Sequence, residues 1–123
     1  MAKKVLLIDD DPNIVRFVSS RLKQSGYDVY TANDGKAGLD EARKVNPDLI
    51  LVDVMMPEMD GYTFVRTLRR EDNFKQVPII VVTAKEKMQE LFALEGIKEY
   101  VIKPFAAQDL LDKIKKWVDS SPQ

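Results

Sequence analysis

The sequence predicts an α/β fold: a doubly wound, five-stranded parallel sheet with five helices, arranged in three layers. Three observations carry this. Short, wholly apolar runs recur at Val5–Ile8, Leu49–Leu51–Val52 and Ile79–Val82, and runs of that kind read as parallel strands buried on both faces. Segments of helical periodicity alternate with them along the whole chain. Each run is closed by a residue able to do chemistry: Asp9, Asp53, Thr83, and Lys103 after Tyr100-Val101-Ile102.

The elements follow in order. Asp11-Pro12 supplies an N-cap and a Pro at the first helical position, and Ile14, Val15, Val18 and Leu22 continue a helix that Gly26 ends. Residues Tyr27 to Thr31 form a shorter, mixed strand. A second helix runs through Ala37, Leu39 and Ala42 and stops before Asn46-Pro47, because the residue preceding Pro avoids helical geometry. Asp48 to Asp53 is the third strand, Met56 to Gly61 a loop, and Tyr62 to Glu71 a third helix. Val77-Pro78 introduces the fourth strand, Glu86 to Glu95 forms a fourth helix, and Tyr100 to Ile102 is the fifth strand. Leu110, Leu111, Ile114, Trp117 and Val118 mark the last helix, and residues 119–123 are expected to fray. The first, third and fourth strands are the most apolar and belong in the centre, which the flavodoxin-like order 2-1-3-4-5 satisfies. One domain over 1–123 suits this length.

Composition narrows the chemistry. There is neither Cys nor His, so disulfides, thiolate nucleophiles, imidazole bases and a phosphohistidine carrier are excluded. A net charge of −1 gives no reason to expect nucleic acid or a membrane surface as partner. The apolar stretch after Met1-Ala2-Lys3-Lys4 is too short for a signal peptide, and no run approaches a membrane span, so a cytoplasmic protein is expected.

In open parallel sheets ligands bind beyond the carboxyl ends of the strands. Asp9, Asp10, Asp53, Thr83 and Lys103 would therefore meet at one rim, near the switch point between the first and third strands. Three carboxylates in one place repel one another, and a bound cation relieves them. Few protein oxygens and room for water favour Mg²⁺ over Ca²⁺, with Mn²⁺ as an alternative occupant. Singly, each residue has a duller reading: Asp11 and its neighbours favour the positive end of a helix, Thr83 ends a strand, and Lys103 is a solvated charge. The Lys103-Pro104 bond, on spacing alone, is expected to be trans.

At this point the chain resembles the receiver domain of bacterial response regulators over essentially its whole length. The matching pieces are Leu7-Ile8-Asp9-Asp10-Asp11, Leu51-Val52-Asp53-Val54-Met55-Met56-Pro57-Glu58-Met59-Asp60-Gly61, Val82-Thr83-Ala84 and Val101-Ile102-Lys103-Pro104-Phe105. The resemblance implies that Asp53 accepts a phosphoryl group from a histidine kinase, a phosphotransfer protein or a small acyl phosphate. It implies that Asp10, Asp53 and the Met55 backbone carbonyl ligate Mg²⁺, with Asp9 acting through water. Thr83, Ala84 and Lys103 would contact the phosphoryl oxygens, and Thr83 and Tyr100 would form a conformational switch. It also implies a cis Lys103-Pro104 bond, lifetime tuning by Met55 and Lys85, and no enzymatic role beyond self-catalysed aspartyl phosphorylation and dephosphorylation. Output would pass by protein contact to a downstream partner, from a monomer or a phosphorylation-dependent dimer.

Two features depart from that pattern. The stretch between Thr83 and Lys103 is slightly short, and Gly96-Ile97 stands where Gly-Ala is usual, so a short or displaced fourth helix is expected. Trp117 with Lys113, Lys115 and Lys116 suggests either a partner surface or, more simply, a core-facing Trp with solvated lysines. Three other functions compete. In a phosphatase of the haloacid dehalogenase type, Asp9 would be the nucleophile and Asp11 the acid, but Asn13 and the lack of a later acidic motif count against it. In a flavodoxin-type cofactor binder the first loop would hold a phosphate, which Asp9-Asp10-Asp11-Pro12 repels. A receiver-like binding module that is never phosphorylated would have no reason to carry every acceptor-site residue.

Overall fold

A computed structural model of the chain describes residues 2–84, 88–93 and 95–119. The order is β1 (Lys4–Ile8), α1 (Pro12–Gln24), β2 (Asp28–Ala32), α2 (Gly35–Val45), β3 (Leu49–Val52), α3 (Gly61–Arg69), β4 (Ile79–Thr83), α4 (Gln89–Ala93), β5 (Glu99–Ile102) and α5 (Ala107–Val118), with a 3₁₀ turn at Asp72–Phe74. All four strand pairings are parallel and the sheet order is β2-β1-β3-β4-β5, as the strand compositions predict. Every residue of β1 beyond Lys4, and all of β3 and β4, is buried, whereas β2 and β5 are largely half-exposed edges.

The period of two along the central strands divides the core between the sheet's two faces. Leu6, Ile8, Ile50, Val52, Ile79 and Val81 pack beneath Leu39, Phe64, Leu68 and Phe92 of α2, α3 and α4. Val5, Leu7, Leu49, Leu51, Ile80 and Val82 pack beneath Val18, Leu22, Leu110 and Ile114 of α1 and α5. Burying each such side chain contributes about 1.5–3 kcal/mol, so the three layers hold the strand ends in fixed relation.

Helix starts follow local rules. Asp11, Asp34 and Asp60 cap α1, α2 and α3, their carboxylates accepting from the backbone N–H of Asn13, Ala37 and Thr63 at 2.9, 2.7 and 2.8 Å. Asn46 closes α2 in the left-handed region at φ 51°.

Several boundaries move for identifiable reasons. The second strand begins at Asp28, not Tyr27, because the Tyr27 N–H is spent on the Leu22 carbonyl at the end of α1 (3.1 Å). The third helix starts one residue earlier than expected and ends at Arg69. There Arg70 and Glu71 donate to the carbonyls of Thr67 and Leu68, tightening the chain toward the 3₁₀ turn. The fourth helix is described over Gln89–Ala93, with Met88 and Glu95 in turns on either side; Glu86, Lys87 and Leu94 of the expected Glu86–Glu95 lie outside the described residues. Its end is a tight turn with Gly96 at φ 72°. Among the described residues no helix is long and apolar enough to cross a membrane.

Trp117 is neither a free surface ring nor a simple core residue. It packs half-buried on the α1/α5 side of the core, and its indole N–H donates to Glu99 Oε2 at 2.7 Å. Lys98 and Lys116 place their ammonium groups 5.0 and 4.9 Å from the ring centroid, so Lys116 is not merely solvated.

Candidate functional site

Register aligns the carboxyl ends of the strands. Ile8 pairs with Val52, Val52 with Val81, and Thr83 with Ile102, so Asp9 and Asp53 leave the sheet at one level, Thr83 one residue beyond it and Lys103 two, all at the same edge. Backbone bonds from Asp53 N–H to the Ile8 carbonyl (3.0 Å) and from Lys103 N–H to the Thr83 carbonyl (2.8 Å) extend the ladders to these residues. Parallel pairing thus does for the rim what no local segment does alone.

The side chains converge. Carboxylate oxygens of Asp9, Asp10 and Asp53 lie within 4.8 Å of one another. Lys103 Nζ donates to Asp9 Oδ2 at 2.9 Å and to Asp53 Oδ2 at 3.1 Å. The other oxygens are partly used: Asp9 Oδ1 accepts from the Asp11 N–H at 2.9 Å, and Asp53 Oδ1 from the Met55 N–H at 3.3 Å. Asp9 and Asp53 are buried and Asp10 is exposed, so the notch has a closed floor and an open mouth.

The grouped carboxylates dominate the electrostatics of the rim. Burial pushes the Asp9 carboxyl above the ordinary carboxylate range, and the Asp11 N–H and Lys103 only partly offset it. Burial also works against the charged Lys103, but Asp9 and Asp53 together outweigh it and raise its pKa. Among the described residues, the Lys103 ammonium pairs with two of the three grouped carboxylates, Asp9 and Asp53. A hard divalent cation with water in its shell fits that donor set.

Thr83 is fully buried at the end of β4, while the adjoining Ala84 is exposed. Tyr100, opposite Val81 on β5, is half-buried with its ring centroid 5.9 Å from that of Phe92. Burial raises the Tyr100 pKa, a Met88 backbone hydrogen bond lowers it, and the Asp53 charge adds a smaller upward push. Met55, two residues after Asp53, is 54% exposed, a large apolar side chain left in solvent while its backbone N–H bonds the Asp53 carboxylate. Lys85, named for lifetime tuning, lies outside the described residues. The Lys103-Pro104 bond is cis, against the reading from spacing alone and in line with the family resemblance. Asp11, the acid of the dehalogenase reading, spends a carboxylate oxygen on the α1 cap.

Some contributions escaped sequence reasoning. Asp60 and Gly61, read as loop, open α3, and a Cβ at Gly61 would collide with the Asp53 carbonyl. Asp48, read only as strand, is buried and accepts from the Lys4 N–H at 2.8 Å. Arg69 is half-buried, its guanidinium donating to the carbonyls of Glu95, Phe74 and Val77 at 3.0, 2.8 and 2.7 Å. The repeated Asp-Gly at 34–35 and 60–61 was a visible signal for the glycine, whereas the Arg69 contacts span chain segments that no local pattern joins.

Comparison with known proteins agrees with the geometry. Residues 5–115 match the model of the response regulator receiver domain. The alkaline phosphatase synthesis transcriptional regulatory protein PhoP of Bacillus subtilis (strain 168) is 39% identical over 117 residues, which cover 94% of this chain and 48% of that protein. The chain thus spans about half the length of the curated relatives it matches. The chemotaxis response regulator CheY4 of Vibrio cholerae superposes with a TM-score of 0.88 at 34% identity, covering 94% of this chain and 98% of that one. The receiver domain of the sensor histidine kinase PA1611 from Pseudomonas aeruginosa PAO1, solved with a magnesium ion in its active site cleft, gives 0.89 at 30% identity, covering 98% and 100%.

The chain belongs to the response regulator receiver domain family, the phosphorylation switches of two-component systems. Such domains are signalling switches rather than enzymes of the usual kind, and they work with histidine kinases and downstream effectors. Neither the dehalogenase-type phosphatase nor the unphosphorylated binding module finds support.

Proposed function

We propose that Asp53 is the phosphoryl acceptor of this receiver. The observation that carries the reading is its carboxylate, buried at the strand rim, held by Lys103 at 3.1 Å and grouped with Asp9 and Asp10. In transfer from a phosphorylated histidine, a carboxylate oxygen of Asp53 bonds to phosphorus. The P–N bond breaks and its electron pair leaves with the imidazole of the donor. The product is an acyl phosphate, a mixed anhydride. The chain's part is placement and charge neutralisation, which explains why the absence of His is no handicap.

Asp10, Asp53 and the Met55 carbonyl would hold Mg²⁺, with Asp9 acting through water; Mn²⁺ would satisfy the same oxygens. Bound there, the ion neutralises the charge that the incoming group adds. Lys103 neutralises the opposite side, and Ala84 is small enough to admit phosphoryl oxygens. The Thr83 hydroxyl donates to one of those oxygens. Its movement frees space for the Tyr100 ring, a two-state element biased by a local charge. Nuclear magnetic resonance of Tyr100 with Mg²⁺ and beryllofluoride, a phosphoryl mimic, checks this; a ring signal unchanged at saturation rules the switch out.

Met55, exposed beside Asp53, is placed to keep water from the anhydride, so Met55→Asn is expected to hydrolyse its phosphoryl group several-fold faster. Equal or slower decay refutes that shielding. The donor would be a histidine kinase or phosphotransfer protein, and the response would pass by protein contact. PhoP is by name a transcriptional regulator, but residues with net charge −1 give no electrostatic reason for DNA contact here. A cytoplasmic setting and a single receiver unit over 1–123 complete the reading. Intact-mass measurement in acetyl phosphate and Mg²⁺ tests it: one phosphate gained is expected, and none from any donor overturns it.

A further inference from the structure

Asp-Gly occurs twice, at 34–35 and at 60–61, and in both places the Asp caps a helix while the Gly takes its first position. The two glycines serve a common purpose. Both abut the segment from Asp53 to Met59, the end of β3 and the loop that leads to α3. A Cβ on Gly35 would lie 2.6 Å from the Met59 carbonyl oxygen and 2.9 Å from Met59 Cβ and Cγ. A Cβ on Gly61 would meet the Asp53 carbonyl and, at 2.9 Å, the Val54 Cα. Four of the atoms in the way, Met59 O, Asp53 C and O and Val54 Cα, belong to the backbone, which cannot swing aside like the tip of a side chain. Gly26 and Gly96 differ: both have positive φ and open space around them, so they serve turns.

We propose that Gly35 is a positioning residue for the metal and phosphoacceptor site, acting through Met59; the inference rests on the function proposed above. By letting the Met59 backbone seat against the first turn of α2, Gly35 sets where the crest of the loop lies. That crest is under constraint already. Glu58 sits in the left-handed region at φ 68°, a conformation that persists only when its surroundings enforce it. At its base the loop is tied by the Gly61 N–H to the Val54 carbonyl (2.9 Å) and by the Met55 N–H to Asp53 Oδ1 (3.3 Å). Lifting Met59 to admit a methyl group pulls on this short span, and the Met55 carbonyl lies within it. Mg²⁺ demands near-ideal octahedral geometry, and binding constellations tolerate displacements of only about 0.5 Å. Gly35 touches no ligand atom; its effect is on where one of them stands.

The test compares Gly35→Ala with Gly26→Ala, which strains a positive-φ turn before β2 and therefore reports what mere destabilisation does. Mg²⁺ affinity is measured calorimetrically, and amide resonances of Val54 and Met55 are recorded in metal-free protein. Gly35→Ala is expected to bind Mg²⁺ about tenfold more weakly, the low end of what disturbing a ligand's support does, and to shift both resonances. Gly26→Ala should leave affinity and resonances as in wild type. Should Gly35→Ala not fold, Met59→Ala, which removes the Met59 Cγ that rests at Gly35 and leaves the carbonyl and Cβ in place, decides instead and should weaken binding in the same direction. Equal affinities in the Gly35 and Gly26 variants, or a Met59→Ala protein that binds like wild type, overturn the role of Gly35 alone. Wild-type protein that binds no Mg²⁺ overturns the metal site itself, and the inference with it.

Discussion

Asp53→Asn protein should take up no phosphate from acetyl phosphate or a phosphorylated kinase, a loss of at least about a thousandfold in labelling rate, as for removal of other covalent nucleophiles. The reason is the nucleophile rather than the fold. The amide occupies the same volume, and its single oxygen still accepts from one of the two donors, the Met55 N–H or Lys103, that Asp53 Oδ1 and Oδ2 now serve at 3.3 and 3.1 Å. It lacks the negative charge needed to attack phosphorus and to form a stable anhydride. The neighbouring carboxylates cannot substitute efficiently. Asp9 has one oxygen engaged by the Asp11 N–H and the other by Lys103 at 2.9 Å, and Asp10 stands exposed at the mouth. Undiminished labelling of the variant, mapped by peptide mass, would transfer the acceptor role to another residue.

Lys103→Met should unfold more easily, and the deficit should shrink when Mg²⁺ is added. Lys103 is the ammonium that bridges two buried carboxylates, with Nζ–Oδ2 distances of 2.9 and 3.1 Å to Asp9 and Asp53. Removing one member of a fully enclosed ion pair costs about 3–5 kcal/mol. The mouth of this notch is open beside Asp10, so about 2 kcal/mol is expected in chelator, water screening part of the repulsion. Met keeps the length and apolar stem of the Lys side chain, which separates the charge from the packing. A ligand at a hundred times its dissociation constant stabilises the native state by about 2.7 kcal/mol. The variant should gain more than wild type, because no ammonium competes for the Asp9 and Asp53 oxygens. Urea midpoints with chelator and with Mg²⁺ measure both quantities. An equal deficit in the two conditions would mean that Lys103 and the ion do not share a site.

Much of this was legible along the chain because parallel strands buried on both faces leave a strong local signature. Val5–Ile8, Leu49–Val52 and Ile79–Val82 are wholly apolar and bounded by polar residues, so their number, order and central placement follow from the pattern. Caps at Asp11 and the stop at Asn46-Pro47 are likewise local chemistry, and the helices begin and end there. Boundaries slipped where a backbone group was claimed from elsewhere, as when the Tyr27 N–H bonded the end of α1 instead of joining the sheet. The isomer of Lys103-Pro104 slipped for another reason: spacing carries no information about it, and only the resemblance to the family pointed to cis.

By itself, the chain of residues determined the secondary elements, the strand order and the identities of the groups that reach the rim. Those depend on periodicity and on polar residues ending apolar runs, both properties of neighbours in sequence. Tertiary structure decided the distances: that one Lys103 ammonium spans Asp9 and Asp53, that Asp9 is pushed toward its neutral form, and that Gly35 bears on a loop more than twenty positions away. Such facts arise from packing between segments remote in sequence, where a few tenths of an ångström change the energy and no local pattern records them.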